Sequence, residues 1–147
     1  MGQSNYGRVD DVGVAEVWER LRNDPTSVLI DVRTRAEWAF VGLPDLSQLG
    51  RQPVLVEWQT FPDNREDPRF EERLTTLLKE MGSTAEAHLF FICRSGSRSR
   101  RAAQTMMAAG YANCLNVADG FEGPLDGDHH RGGASGWKAS GLPWAQG

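Results

Sequence analysis

An open, mostly parallel α/β sheet of about five strands, with helices on both faces, is the fold class this sequence predicts. Three observations carry the prediction. Short apolar runs of strand length alternate with segments of helical periodicity along the chain. The runs are continuously apolar rather than alternating, as in strands buried on both faces. The chain has 147 residues, enough to bury one core, and it shows no internal repeat or low-complexity tract. One domain over residues 1–147 is therefore expected, with a surface loop at about 123–136, where GPLDGDHHRGGASG is too rich in glycine and charge for core.

The elements follow in order. After Asp10 and Asp11, the apolar positions Val14, Val17, Trp18 and Leu21 recur at helical spacing, and Asn23, Asp24 and Pro25 stop the helix. Val28, Leu29 and Ile30 form a buried strand that ends at Asp31. Thr34 with Glu37 three residues later reads as a capping box opening a short helix, which Gly42 and Pro44 close. Val54, Leu55 and Val56 read as another buried strand, followed by a polar loop through Pro62 and Asn64. Asp67 and Pro68 open a clear helix with Phe70, Leu74, Leu77, Leu78 and Met81 facing inward and Gly82 ending it. Leu89 to Ile92 is a central strand. Ser99 to Ala109 is a helix with Ala102, Ala103 and Met106 inward, and Cys114 to Val117 is the last strand. Trp18 is assigned to the core, and Trp58 to the core rather than to a pocket.

Composition narrows the function. No apolar run approaches the roughly 20 residues that span a bilayer, and MGQSNYGRVDD lacks the basic and apolar segments of a secretory signal, so a cytoplasmic protein with no membrane role and no disulfides is expected. A net charge of -4 argues against nucleic acid as partner. The basic residues are almost all arginine, with Lys79 and Lys138 the exceptions, and Arg94, Arg98, Arg100 and Arg101 crowd one segment. Guanidinium groups suit forked hydrogen bonding to anions, so a small anionic ligand is indicated there.

In that segment, FFICRSGSRSRRA, Cys93 stands where the central strand stops. In open α/β sheets ligands bind at the carboxyl ends of strands. The loop that follows runs into a helix amino terminus, where unpaired amides and the positive end of the helix dipole converge near the sulfur. With Arg94 and Arg98 adding positive charge, this setting favours a thiolate nucleophile. Burial alone does not account for the glycine, serines and arginines placed after Cys93. Cys114, at the start of an apolar strand without basic neighbours, reads as a small buried hydrophobe.

The loop CRSGSR at 93–98 resembles the active-site loop of rhodanese-type sulfurtransferases. LIDVRTRAEW at 29–38 is similar to that family's strand, Asp-Val-Arg and short helix, NVADGF at 116–121 to its last strand and glycine turn, and GWKASGLPW at 136–144 to its closing segment. The resemblance implies a rhodanese-like three-layer α/β fold and a single-domain sulfurtransferase. Cys93 would be the catalytic nucleophile, moving a sulfane sulfur from thiosulfate or a similar small anionic donor to a thiol or cyanide acceptor through a persulfide. Arg94, Ser95, Gly96, Ser97, Arg98 and Ser99 would bind substrate, their amides holding the persulfide sulfur and Arg94 and Arg98 orienting the donor. The chemistry requires no metal or organic cofactor. A sulfur-accepting protein is a further possible partner, and Asp31 and Arg33 would tie the first strand to neighbouring loops.

Two departures from the family stand out. Its usual histidine after the second helix is missing, where this chain has Val41, Gly42, Leu43 and Pro44. Between the glycine turn and the closing segment it inserts about a dozen residues, PLDGDHHRGGAS. Because this loop leaves the last strand on the active side, His129, His130 and Arg131 are candidates to cap the pocket, against the plain reading of a solvated loop. Adjacent histidines alone make no metal site.

Two other readings stay open. A persulfide carrier or binding module without turnover would need the same cysteine and loop. A cysteine phosphatase would place five residues between cysteine and arginine, whereas here four separate Cys93 from Arg98, a tight fit for a tetrahedral phosphoryl group.

Overall fold

The structure, a computed structural model, describes residues 8–146. Its centre is a five-stranded, wholly parallel sheet built from β1 (Asp10–Val12), β2 (Val28–Asp31), β4 (Val54–Leu55), β7 (Leu89–Ile92) and β8 (Cys114–Val117) in the order β1-β8-β7-β2-β4. Every residue of β2 and β7 is buried, as strands covered on both faces must be. Their register sets Leu29 beside Phe90 and Ile30 beside Phe91, and alternate residues supply opposite layers.

On one face, Val28, Ile30, Leu89 and Phe91 pack with Phe70, Leu74 and Leu78 of α3 (Phe70–Glu80) and Ala102, Ala103 and Met106 of α4 (Ser97–Ala108). On the other, Leu29, Phe90 and Ile92 meet Val14, Val17 and Leu21 of α1 (Val14–Asn23), together with Phe121 and Trp137. Full burial of such side chains stabilises the fold by about 1.5–3 kcal/mol each. The sheet and its two covering layers are the rhodanese-like α/β arrangement that the sequence predicts. Among the described residues no helix is long and apolar enough to cross a membrane.

The capping box forms as expected at α2 (Arg35–Phe40), where the Thr34 hydroxyl accepts from the Glu37 amide and the Glu37 carboxylate accepts from the Thr34 amide. Other details differ from the sequence reading. β4 is a two-residue edge strand, with Leu55 partly exposed, because it pairs only with β2. On α3 the buried stripe is Phe70, Leu74 and Leu78, spaced by four residues, and this leaves Leu77 and Met81 on the flank, Met81 at 52% exposed. α4 begins at Ser97, two residues earlier than expected.

Several elements were too short or too polar to show a period. β1 adds Asp10–Val12 to the sheet beside β8. The closing segment returns as β9 (Trp144–Ala145), antiparallel to β3 (Leu43–Pro44), and β5 (Gln59–Thr60) pairs with β6 (Arg65–Glu66) in a hairpin. Trp58 packs edge-on to Phe70 at 4.9 Å as core, while Trp18 is half-buried against Trp137.

The insertion closes on itself at its base. A Cβ on Gly123 would stand 2.1 Å from the Ser135 carbonyl oxygen, so only glycine permits the two ends of the loop to approach so closely. The amides of Trp137 and Lys138 then donate to the carbonyls of Gly120 and Phe121, and the closing segment continues from the glycine turn.

Candidate active site

Cys93 follows the last residue of β7, and the chain turns through Arg94, Ser95 and Gly96 into the first turn of α4. The amides of Gly96 and Ser99 point at the Cys93 Sγ from 3.2 and 3.3 Å, and the Ser99 Oγ lies 3.2 Å away. Gly96 makes this turn possible with φ of +111°, and a Cβ there would stand 2.2 Å from the Ala118 carbonyl oxygen. The loop is fixed from outside as well. The Cys93 carbonyl accepts from the Phe121 amide, and the Arg94 carbonyl from those of Glu122 and Gly123. Cys93 is thus buried, at 1% exposure, and packs with the hydrophobic core on one side while polar donors approach its sulfur on the other.

Behind Cys93 runs a line of polar side chains. The Ser99 Oγ donates to the Asn116 Oδ1 at 2.5 Å, the Asn116 amide donates to Asp11 at 3.1 Å, and Asp11 pairs with Arg100. Ser99 and Asn116 are buried, and their polar atoms are satisfied by one another and by the Asp11 carboxylate. The polar Asn116 in an apolar strand was the available signal for this line, but its partner Asp11 lies more than a hundred residues away in sequence.

Arg98 is held by Glu37 in a two-pronged pair, with contacts of 2.7 and 2.9 Å. Burial pushes the Glu37 carboxyl up, but the hydrogen bonds and charge of Arg98 outweigh it and leave that carboxyl below its ordinary value. The same Glu37 closes the capping box of α2, so one carboxylate joins the start of that helix to the loop after Cys93. Asp31 and Arg33 form a completely buried ion pair, and Arg33 also donates to the Gly42 carbonyl at 2.8 Å and lies over the Phe121 ring at 4.2 Å. The end of β2 is thereby tied to the loop after α2 and to the glycine turn.

Over the loop opens a cavity of about 710 Å³, walled by Phe40, Arg94, Arg98, Arg101, Glu122 and Arg131 among others. Ser97 lines it too, and Ser95 is half-buried outside it. Cys93 is buried and is not one of the residues that line this cavity. Of the insertion residues, Arg131 reaches the wall, anchored by a bond from its Nη1 to the Gly123 carbonyl, whereas His129 and His130 are exposed and stand outside it. Phe61, from the β5–β6 hairpin, is a wall residue that the sequence did not single out. Cys114 is buried, its thiol donating to the Tyr111 carbonyl.

The arrangement is a buried thiol at the carboxyl end of a central strand, with main-chain donors converging on it and an arginine-walled cavity above. A nucleophile attacking small anionic substrates is what such a site can supply. The model of a family described as the STR4 middle domain matches residues 10–147. The crystal structure of Rv0390 from M. tuberculosis is 45% identical and superposes with a TM-score of 0.81, over 95% of this chain and 98% of that one. An uncharacterized RP600 homolog of Rickettsia rickettsii is 34% identical over 92% of this chain and 97% of its own length. A protein of Allochromatium vinosum named sulfurtransferase is 26% identical over 92% of this chain and 94% of its own.

Proposed function

Because the chain belongs to the rhodanese-like sulfurtransferases, matching their STR4 middle-domain model over residues 10–147, we propose that it moves a sulfane sulfur by way of a persulfide on Cys93. The observation that carries this reading is the approach of the Gly96 and Ser99 amides to Sγ, at 3.2 and 3.3 Å. Main-chain donors already aimed at a sulfur that gains negative charge need no rearrangement when the charge develops.

In the first half-reaction the Cys93 thiolate attacks the outer sulfur of thiosulfate. The sulfur–sulfur bond of the donor breaks, and sulfite leaves with the bonding electrons. In the second, a thiol or cyanide attacks the carried sulfur and regenerates the thiolate. Ping-pong kinetics follow from the two steps. Arg94, exposed at the cavity floor and free of any ion pair among the described residues, meets the donor anion. Arg98 lines the same cavity while bound to Glu37, so it holds the loop in place as well as presenting charge. The whole chain acts as one domain, with 123–136 inserted beside the site.

Mass spectrometry after incubation with thiosulfate tests this reading. Wild type is expected to gain one sulfur atom on the peptide containing Cys93, and Cys93→Ser is expected to gain none. An unmodified wild type after treatment with thiosulfate, 3-mercaptopyruvate and a small-molecule persulfide would remove the reading.

A further inference from the structure

A second cavity, of about 430 Å³, lies at the amino end of the sheet, where β2 and β7 begin side by side, opposite the end that carries Cys93. It is lined by the segment leading into β2, by Leu46 and Arg51, and by the chain between α3 and β7. Val28, Leu29, Leu46 and Ala87 give it a buried apolar wall, and its volume is in the range of small-molecule sites.

The polar part of the lining has donors to spare. Carbonyls that end the two flanking helices are already taken. On α1, the Arg20 carbonyl accepts from the Asp24 amide and the Leu21 carbonyl from Arg51. On α3, the carbonyls of Leu77, Leu78 and Lys79 accept from the amides of Met81, Ser83 and Gly82. These bonds, with Gly82 at φ of +76°, form a glycine-stopped helix end that fixes Ser83 where an apolar contact commonly sits. The Ser83 Oγ is buried there and has no hydrogen-bond partner among the described residues. A hydroxyl left so costs stability unless something accepts from it.

Arg51 is half-buried and forms no ion pair among the described residues. It gives one nitrogen to the Leu21 carbonyl and another, at 3.4 Å, to that of Pro25, which leaves three of its five N–H groups. Burial works against its charge, and Asp24, whose carboxylate accepts from Thr26, favours that charge only from a distance. An unpaired guanidinium and an unanswered hydroxyl therefore line one apolar cavity, and an anionic acceptor would satisfy both.

We propose that this cavity binds a small carboxylic acid with a compact apolar body, its carboxylate accepting from Arg51 and from the Ser83 hydroxyl and its body lying against Val28, Leu46 and Ala87. The site is separate from the loop after Cys93 and stands or falls independently of the sulfurtransferase reading.

The test uses 3-phenylpropionate and its neutral counterpart 3-phenylpropionamide, titrated into the nitrogen-15-labelled full chain and followed by amide resonances. The acid is expected to shift the amides of Gly82, Ser83 and Thr84 saturably, and to bind about tenfold more tightly than the amide, the usual scale for a charge-assisted contact. Arg51→Gln is expected to bring the two within about twofold of one another. Ser83→Ala removes a hydroxyl that has no partner, so its spectrum is expected to stay native while the acid binds about tenfold more weakly. If Arg51→Gln does not give a native spectrum, Ser83→Ala decides alone. Shifts confined to Arg94–Ser99, no saturable shift at residues 82–84, equal wild-type affinity for acid and amide, or undiminished binding of the acid to Ser83→Ala would each overturn the assignment.

Discussion

The Ser99 Oγ stands 2.5 Å from the Asn116 Oδ1, and this contact decides what Ser99 offers to Cys93. Asp11 accepts from the other end of the Asn116 amide, so the amide oxygen is turned toward Ser99. An amide oxygen accepts only, and the serine has one hydrogen to give. With that hydrogen committed to Asn116, the hydroxyl presents a lone pair to Sγ at 3.2 Å, and the main-chain amides of Gly96 and Ser99 are the donors on which the sulfur relies. The site is built so that its fixed donors belong to the backbone.

Ser99→Ala leaves the buried Asn116 oxygen without its donor and is expected to lower unfolding free energy by about 1–3 kcal/mol. Asn116→Leu on its own leaves the serine hydroxyl with only its longer contacts, 3.2 Å to the Gly96 carbonyl and 3.2 Å to the Cys93 sulfur. Combining the two removes both ends of the bond, so the double variant is expected to be more stable than the sum of the singles by about 0.5–3 kcal/mol. Urea unfolding of the four proteins reads the coupling, and strictly additive losses would mean that the contact carries no energy.

The Glu37 and Arg98 pair predicts a particular response to acid. The Glu37 carboxyl in the folded protein titrates below its ordinary value of 4.5, against burial, because Arg98 holds the charged form. A carboxyl depressed by folding contributes stability above its unfolded value, and that contribution disappears as pH falls through the folded value. Wild type should therefore be more stable than Glu37→Gln at pH 7. The difference should shrink once pH drops below about 4.5 and vanish at lower pH. Unfolding midpoints of both proteins across pH 3 to 7 check this, and a gap that is constant with pH would assign the pair a packing role alone.

How much of this was legible in the sequence depends on the range of the interaction. β2 and β7 declared themselves because Val28–Asp31 and Leu89–Ile92 are buried on both faces, and the Thr34 and Glu37 capping box because its partners are three residues apart. Cys93 was legible for the same reason, since strand, turn and helix start are contiguous. What the sequence did not show was pairing across the fold. Nothing local says that Asp11 meets Asn116, or that Arg98 is already occupied by Glu37. Equally, nothing in DHHRGG distinguishes Arg131, which reaches the cavity, from the two histidines, which do not. Edge effects were hidden too. Leu55, Leu77 and Met81 have the hydrophobicity of core residues, yet Leu55 lies on the edge strand β4 and Leu77 and Met81 flank the buried stripe of α3, so all three are partly exposed.

The two cysteines are expected to separate chemically. Cys114 is buried like Cys93, but among the described residues no main-chain amide donates to its sulfur, and burial pushes its thiol up to about 12. Because folding raises this acid above its ordinary value of 9.0, the folded state holds the proton more tightly than the unfolded chain. The resulting stability is present in full below pH 9 and is lost progressively as pH climbs from there toward 12. Cys114→Ser is expected to remain able to take up sulfur from thiosulfate, and native protein treated with iodoacetamide at about pH 9 should yield no Cys114 adduct on peptide mapping, since alkylation needs the thiolate. The same treatment in denaturant should label both cysteines. A Cys114 adduct formed in the native state at that pH would show that the interior around β8 opens to solvent, and would end its assignment as an inert core residue.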